Sequence, residues 1–572
     1  MLHKHNLQTT GGAHKSRGGG SSSSKSSISN SYKLLPDDLQ KVALDGDLTG
    51  PNSHSILHNH YTIPQSGVPS ETVYELVHNE LTLDGNPHLN LASFVNTSTS
   101  DVARRLIQEN VAKNLADNDE YPQLVEITQR CISMLSQLWK ADPAKEPLGC
   151  ATTGSSEAIM LGGLAMKRQW EQRMKKAGKS TEKPNIIMST AAQVALEKFA
   201  RYFDVECRLV PVSQESGYHL DPKKLWDHVD ENTIGVFVIL GTTFTGHLEN
   251  VEEVADCLTQ IEKQNPEWSN VSIPIHVDGA SGGFVVPFAF TEEQMKNYNL
   301  GRWGFNHPRV VSINTSGHKF GLTTAGLGWI LWKENEYLLP ELRFKLAYLG
   351  GVEETFNLNF SRPGFQVIHQ YYNFLNLGMK GYKKLFDTSL FAARLFSLTL
   401  LESEEFKGNF EIVSNIHERL DGGKPTLADF SKSPELFKPG VPLTAFKLSK
   451  QFHEKYPEIP QAMLSSLLRA KGWIVPNYPL PAATDGTDKW EVLRVVFRSE
   501  MSLDLVQLFI HHIYLALEKL ITCYESIPET RSADEKKDTI YNMLLALAAP
   551  ESSEEEQAHN EEKKRKNYRG TC

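Results

Sequence analysis

Short apolar segments alternate with longer amphipathic ones through the middle of the chain. The apolar segments lie at residues 186–188, 208–212, 235–240, 273–277, 310–314 and 326–332. Runs this short and nearly continuous are typical of strands buried on both faces, and helices between them indicate parallel pairing. The pattern therefore predicts an α/β domain with a mainly parallel central sheet.

The segments on either side of these strands follow other patterns. Apolar residues recur at helical spacing over residues 102–139, with a break at 118–122, and again in a helix predicted to begin around Ser156. A short helix is predicted near residues 73–81, and another over residues 538–549. Beyond residue 390 strand and helix patterns mix, which predicts a smaller α+β domain.

The length of 572 residues exceeds what one hydrophobic core usually supports, so several parts are expected. A glycine- and serine-rich composition cannot repay the entropy of ordering, which predicts a disordered tail. We predict this tail (1–34), an N-terminal arm (35–90), a large domain (91–389), a smaller C-terminal domain (390–530), and a helix with a charged tail (531–572). The last helix is interpreted as a packing helix, with a regulatory partner helix as the alternative.

The composition argues against several classes of protein. A formal net charge of −10 disfavours nucleic acid as the main partner, because phosphate binding requires a basic face. Six scattered cysteines without a CxxC pair disfavour a disulfide scaffold and a zinc site, so no metal is predicted. Residues 1–30 lack a secretory signal, and no run approaches the ~20 apolar residues of a membrane helix. We expect a cytoplasmic protein that binds no membrane.

Ser155 and Ser156 stand at the predicted start of an apolar helix, in the segment TTGSSE. Free backbone N–H groups and the helix dipole make such an end an anion site, and hydroxyls beside it complete a phosphate cradle. Serine followed by glutamate is also the pattern of an ordinary helix cap. Taken alone, the segment leaves both interpretations open.

Asp278 ends the apolar strand IHVD and precedes the segment GASGG. In open α/β sheets, ligands bind beyond the carboxyl ends of the strands. A carboxylate at this point is placed to hold a buried cation. The alternative is that Asp278 only caps a turn.

Lys319 lies in the segment SGHKFG, directly after the predicted strand at residues 310–314. A lysine set between apolar and glycine residues is not typical of an exposed charge. Desolvation lowers the pKa of a lysine, and a neutral amine is what forms a Schiff base. A nucleotide phosphate loop ending at Ser180 is excluded, because Arg173 stands where its first glycine is required.

Together the three features supply what pyridoxal phosphate requires. The helix end binds the phosphate, the carboxylate pairs with the ring nitrogen, and the amine reacts with the aldehyde. A ring protonated at its nitrogen is an electron sink for the carbanion left when CO2 departs. The sequence therefore predicts pyridoxal phosphate held as a Schiff base on Lys319.

The same residues carry a family resemblance. The chain resembles the pyridoxal-phosphate-dependent glutamate decarboxylases, most of all the fungal type, from about residue 79 to residue 501. The motifs are HLNLASFVNT (88–97), EYPQ (120–123), GSSEA and MLGG (154–158 and 160–163), HVDGASGGF (276–284), SGHKFG (316–321) and NFSRPGFQ (359–366).

The resemblance implies a fold, an assembly and a reaction. The fold is aspartate-aminotransferase-like (fold type I), and the assembly is a homodimer or a larger oligomer of dimers with sites shared between subunits. The reaction is decarboxylation of L-glutamate to 4-aminobutanoate and CO2. The alternatives are another amino acid substrate, an aminotransferase, or a scaffold-like relative without activity.

The resemblance also implies roles for individual residues. Lys319 and His318 are implied to be catalytic, and Ser361 is implied to reach the phosphate region from the neighbouring subunit. Further cofactor contacts are implied for Ser155, Ser156, Gln193, Thr243, Asp278, Ala280 and Ser316. Substrate contacts are implied for Thr97, Asn114, Asp117 and Arg494, with a structural ion pair as the alternative for Arg494.

Two consequences concern regulation. An aspartate that faces the substrate's carboxylate requires a shared proton, so mildly acidic operation is expected. The charged tail has basic residues after its helix but no tryptophan near them. A calmodulin-type partner, known for plant relatives, is therefore not predicted.

Overall fold

The computed structural model describes residue 63 and residues 67–117, 119–268, 272–346, 353–481 and 490–548. Residues 1–84 and residues 85–572 form two compact units. The predicted disordered tail and the charged clusters at residues 554–556 and 563–566 lie outside the described residues. In the first unit, helix α1 (Ser70–Leu81) confirms the short helix predicted near residues 73–81.

The second unit is organised around a seven-stranded sheet. Its strand order is β1-β7-β6-β5-β4-β2-β3, and every pair is parallel except the two that β7 makes. The strands are β1 (Leu148–Thr152), β2 (Asn185–Ser189), β3 (Glu206–Val210), β4 (Thr233–Ile239), β5 (Ile275–Asp278), β6 (Val310–Thr315) and β7 (Gly328–Trp332). The predicted mainly parallel sheet is confirmed, and six strands coincide with the six predicted segments.

Helices cover this sheet and continue into the rest of the unit. The first eight are α2 (Asp101–Asn110), α3 (Pro122–Leu138), α4 (Ser155–Lys176), α5 (Val194–Tyr202), α6 (Val251–Gln264), α7 (Gly282–Ala289), α8 (Glu292–Asn297) and α9 (Phe365–Glu402). Helix α9 bends at Gly378, whose φ of 56° is a left-handed conformation that glycine tolerates. The predicted helical stretch at residues 102–139 is confirmed as α2 and α3.

Helix α4 packs closely on the sheet and on helix α5 because a glycine lies at each contact. A Cβ atom at Gly162 would lie 2.6 Å from the His276 ring of β5, and one at Gly163 would lie 2.5 Å from the Phe199 ring of α5. Such distances are well inside van der Waals contact, so a larger side chain would push the helix away. The close packing fixes the N-terminus of α4 above the carboxyl edge of the sheet.

Two further sheets complete the described structure. The short strands β8 (Phe344–Leu346) and β9 (Glu353–Thr355) pair with each other. An antiparallel sheet in the order β10-β11-β13-β12 contains β10 (Phe410–Ile412), β11 (Leu443–Leu448), β12 (Asn477–Pro479) and β13 (Glu491–Val496). Its companion helices are α10 (Leu427–Lys432), α11 (Lys450–Lys455), α12 (Ala462–Ala470), α13 (Leu503–Glu525) and α14 (Ala533–Ala548).

One hydrophobic core joins the large sheet to the antiparallel sheet. Val277 of β5, Phe396 of α9 and Leu493 of β13 belong to the same buried cluster. The predicted boundary after residue 389 falls inside α9, and the domain boundaries stay predictions. The mixed strand and helix pattern after residue 390 matches this α+β region.

Helix α13 is long and apolar enough to cross a membrane by length and composition alone. Core helices of globular domains have the same properties. One face of α13 is buried in the protein core, through Val506, Phe509, Ile513, Leu517 and Leu520.

Candidate active site

A cavity of about 410 Å³ opens at the carboxyl edge of the large sheet. The ends of β4 and β5, the segment after β6 and the N-terminus of α4 surround it, which is where ligands bind in open α/β sheets. Most of the residues predicted for the cofactor and for catalysis line this cavity, and so does one residue predicted for the substrate, Arg494. The former are Ser155, Ser156, Gln193, Thr243, Asp278, Ala280, Ser316, His318 and Lys319.

The N-terminus of α4 forms one wall of the cavity. The Ser155 hydroxyl lies 2.7 Å from the Ser316 hydroxyl, which links the helix end to the segment after β6. A Cβ atom at Gly328 would lie 2.7 Å from the Ser155 nitrogen, so glycine allows β7 to support the helix end from behind. Backbone N–H groups and hydroxyls at a helix N-terminus attract an anion, and a phosphate group fits here.

Asp278 sits on the cavity floor with only 3% of its surface exposed. One oxygen, Oδ1, accepts hydrogen bonds from Asn314 Nδ2 at 2.9 Å and from the Ala280 nitrogen at 3.0 Å. A buried carboxylate needs a positive partner or several donors. The ring nitrogen of pyridoxal phosphate, when protonated, is a partner of that kind.

His276 holds the amide of Asn314 in the orientation that Asp278 requires. Asn314 donates to Asp278 through Nδ2, so its Oδ1 must accept from His276 Nε2, at 2.7 Å. His276 Nδ1 then accepts from the Ser312 hydroxyl at 2.7 Å. Burial lowers the pKa of His276 to about 4, so its ring is neutral at ordinary pH. The chain His276–Asn314–Asp278 fixes the carboxylate.

The Lys319 ammonium group lies 5.1 Å from the centre of the Phe94 ring and lines the cavity. Burial lowers the pKa of Lys319, the negative charge of Asp278 opposes that shift, and the positive charge of Arg494 adds to it. A lowered pKa favours the neutral amine, which is the form that reacts with an aldehyde.

His318 accepts a hydrogen bond from the Leu327 nitrogen at Nδ1, at 3.2 Å, so its proton is on Nε2. Burial lowers the pKa of His318 to about 4, and the charge of Lys319 adds to this effect. The carbonyl of His318 accepts from the Asn96 nitrogen at 2.9 Å. This bond anchors the segment that carries Thr97 to the segment that carries Lys319.

Arg494 reaches the cavity from β13 of the antiparallel sheet. Its Nη1 donates to the Thr243 carbonyl at 2.8 Å, and its Nη2 donates to the Ala92 carbonyl. Its Nε is buried without a hydrogen-bond partner, and its guanidinium group stacks 4.9 Å from the Phe94 ring centre. Among the described residues no carboxylate forms an ion pair with Arg494, so the structural ion pair considered from the sequence is not observed there.

The remaining predicted residues do not line the cavity. Asn114 donates to Asp117 Oδ1 at 3.2 Å and accepts from the Arg362 nitrogen at 3.0 Å, next to the exposed Ser361. We call Asn114, Asp117 and Ser361 the loop cluster. Thr97 lies elsewhere and donates its hydroxyl proton to Glu500.

Sequence reasoning missed several residues of the cavity wall. Phe94, Thr153, Glu157, Ala191 and Ser281 also line the cavity. Phe94 lies within the motif at residues 88–97, and Thr153 directly precedes the GSSEA motif. Glu157 and Ser281 also lie within motifs, where Glu157 is interpreted only as a possible helix cap, and Ala191 lies outside every motif.

The fold and the cavity define a pyridoxal-phosphate enzyme of the aspartate-aminotransferase-like class. Residues 70–419 match the pyridoxal-dependent decarboxylase conserved domain. The chain belongs to the pyridoxal-dependent decarboxylase family.

Several individual proteins that the chain resembles are glutamate decarboxylases. The chain is 63% identical over 559 residues to a glutamate decarboxylase of Saccharomyces cerevisiae, covering 94% of this chain and 96% of that one. It is 41% identical over 462 residues to glutamate decarboxylase 5 of Arabidopsis thaliana, covering 80% and 84%. A solved structure of glutamate decarboxylase from Lactobacillus brevis matches with a TM-score of 0.69 and 33% identity, covering 80% and 94%. The resemblance to glutamate decarboxylases, inferred from the motifs, is confirmed.

Proposed function

We propose that this protein decarboxylates L-glutamate to 4-aminobutanoate and CO2 with pyridoxal phosphate as its cofactor. The observation that carries the proposal is the convergence of Lys319, Asp278 and the N-terminus of α4 on one cavity. The identity of 63% to a yeast glutamate decarboxylase supports the choice of substrate.

Some residues of the cavity would bind the cofactor, and others would transfer protons. Ser155, Ser156 and the helix dipole would hold the phosphate, and Asp278 would keep a proton on the ring nitrogen. When bound, pyridoxal phosphate supplies an electron sink for the charge left on the α-carbon as CO2 departs. Lys319 would hold the cofactor covalently between turnovers, and Lys319 or a group beside it would return a proton to the α-carbon. Each turnover consumes one proton.

His318 and Arg494 complete the cavity. A neutral His318 excludes water without adding a positive charge beside Lys319. Arg494 is assigned to the substrate because its charge has no carboxylate partner among the described residues. We assign the substrate's distal carboxylate to Thr97, Asn114 and Asp117.

The assembly we propose is a homodimer, or a larger oligomer built from dimers. The loop cluster is polar and partly exposed, and it does not line the cavity of its own chain. A second copy that places this cluster over the neighbour's cavity gives Ser361, Asn114 and Asp117 the roles assigned to them. We also propose a cytoplasmic location, which cell fractionation of the tagged protein tests.

The experiment that tests the function is a product assay on purified enzyme loaded with pyridoxal phosphate. Glutamate, aspartate and aromatic amino acids are supplied separately, and CO2, amine and keto acid are measured. We expect CO2 and 4-aminobutanoate in equal amounts from glutamate, and slow or no release from the others. A keto acid product would identify an aminotransferase, and CO2 mainly from another amino acid would refute the assigned substrate.

A further inference from the structure

Glu157 is a buried carboxylate in the first turn of α4, with 5% of its surface exposed. Its Oε2 accepts from the Thr153 nitrogen at 2.8 Å, the Thr153 hydroxyl at 3.0 Å and the Asn359 amide at 3.1 Å. Its Oε1 accepts from the Leu358 nitrogen at 3.1 Å and the Asn359 nitrogen at 3.0 Å. Both oxygens are engaged, which exceeds what a helix cap requires.

These bonds join two segments that are far apart in the sequence. Thr153 lines the cavity immediately before Gly154 and Ser155, at the wall assigned to the phosphate. Leu358 and Asn359 precede Ser361 in an exposed loop, in which 46% of Leu358 and 44% of Phe360 are accessible. Glu157 is therefore a direct link between the phosphate wall and the loop that carries Ser361.

Other contacts attach the same loop to the same wall. Asn359 also donates to the Thr153 hydroxyl at 3.2 Å, and the Asn357 amide donates to the Ala151 carbonyl at 2.8 Å. All of these contacts are polar and directional. A change in the acceptor at residue 157 is therefore transmitted to both segments.

We propose that Glu157 is a positioning residue that sets the phosphate wall of its own chain and the Ser361 loop together. The proposal rests on the proposed function, because it gives Ser361 a role at a cofactor phosphate. In a dimer whose sites share this loop, Glu157 ties the geometry of one cofactor site to that of its neighbour.

The substitution Glu157→Gln tests this role with almost no change in shape. The new amide directs N–H groups at donors on Thr153, Leu358 or Asn359, which leaves buried donors without acceptors. Glu171→Gln is the matched control, because Glu171 lies on the same helix and pairs with Arg168 at 2.7 Å. Affinity for pyridoxal phosphate is read from cofactor absorbance during reconstitution of the apoenzyme, which needs no substrate.

We expect Glu157→Gln to weaken cofactor binding by at least tenfold, and Glu171→Gln to change it by less than twofold. Equal affinities for wild type and Glu157→Gln would overturn the proposal. The readout is cofactor binding and not activity. A wild-type enzyme that binds cofactor but does not decarboxylate glutamate would therefore refute the proposed function, and the comparison of cofactor affinities would still stand. Circular dichroism and thermal melting establish that each variant is folded.

A double-mutant cycle with Ser361→Ala separates positioning from general damage. If Glu157 acts through the loop, adding Ser361→Ala to Glu157→Gln lowers cofactor affinity by less than twofold further. If the two residues act independently, the fold-losses in cofactor affinity multiply, which means that the free energies add. That result would contradict a link between Glu157 and Ser361. Should Glu157→Gln not fold, Asn359→Ala takes its place in the cycle, with the same two outcomes and the same meaning.

Discussion

The cavity around Lys319 and the loop cluster differ in how completely one chain assembles them. The cavity collects residues from seven distant segments, because strand ends and a helix N-terminus meet at one edge of the sheet. The loop cluster brings together two distant segments and is partly exposed, and its Asn114 donates to Asp117 and accepts from the Arg362 nitrogen. In the assembly proposed above, one chain supplies the residues that line the cavity, and a second chain supplies the loop cluster to the same site.

The largest expected effect is at the cavity, for Lys319→Ala. We expect decarboxylation to fall by roughly a thousandfold or more, because both covalent attachment and proton return are lost. Initial rates of CO2 release measure the loss. Lys333→Ala is the control, since Lys333 is a partly buried lysine that donates to the His307 carbonyl outside the cavity. Appreciable turnover by Lys319→Ala would contradict the assignment.

Asp278→Asn keeps the shape and removes the charge. We expect kcat to fall by roughly a hundredfold, because an amide cannot hold the proton on the ring nitrogen. Cofactor absorbance is measured alongside, and bound cofactor with a low kcat is the expected pair of results. An unchanged kcat would show that the carboxylate has a structural role only.

Ser361→Ala tests the loop cluster. We expect the decarboxylation activity to fall about tenfold, because one charge-assisted hydrogen bond is lost. Chains with Ser361→Ala and chains with Lys319→Ala are then co-expressed with different tags, and hybrids are purified. If Ser361 serves the neighbouring chain, hybrids recover on the order of half the wild-type activity, because one of the two sites is intact. Hybrids no better than the Ser361→Ala enzyme would place Ser361 at its own site.

The smallest effect on activity is expected beneath the cavity, where a buried carboxylate influences stability. Glu249 is buried and accepts from the Ser189 hydroxyl at 2.6 Å, the Ile239 nitrogen at 2.7 Å and the Leu220 nitrogen at 3.0 Å. Burial raises its pKa from 4.5 to about 7, so the folded state binds the proton more tightly than the unfolded state. This contribution to stability is complete below pH 4.5 and is lost as the pH rises through about 7.

Glu249→Gln removes the titration. As the pH rises over this range, we expect the free energy of unfolding of the wild type to fall more than that of the variant, by about 1.4 kcal/mol per unit of pKa shift. The melting temperature of the wild type should therefore also fall more. Thermal melts of the two proteins at matched pH values provide the measurement. Parallel curves would contradict the assignment of a raised pKa.

Much of this architecture was accessible from the sequence, for physical reasons. Buried strands such as β4 and β6 are continuous apolar runs. Asp278 ends β5, and Lys319 lies in the segment that follows β6. Strand β1 escaped prediction because its centre is Gly149, Cys150 and Ala151, whose small side chains give little signal. The antiparallel direction of β7 also depends on pairing that no local pattern specifies.

The site residues that lie in sequence motifs could be predicted. The arrangements that depend on tertiary contacts could not. Glu157 has the spacing of a helix cap, yet its partners Leu358 and Asn359 lie 201 and 202 residues away. The relay from His276 through Asn314 depends on the register of neighbouring strands. The position of Asn114 and Asp117 outside the cavity follows from a loop whose path no periodicity specifies.

One measurement addresses the central claim directly, namely that the amine of Lys319 holds the cofactor in this cavity. The enzyme loaded with pyridoxal phosphate is reduced with borohydride, digested and analysed by peptide mass spectrometry. The account predicts a pyridoxyl group on Lys319 in the wild type and none at any lysine in Lys319→Ala. A pyridoxyl group on a different lysine of the wild-type enzyme would contradict it.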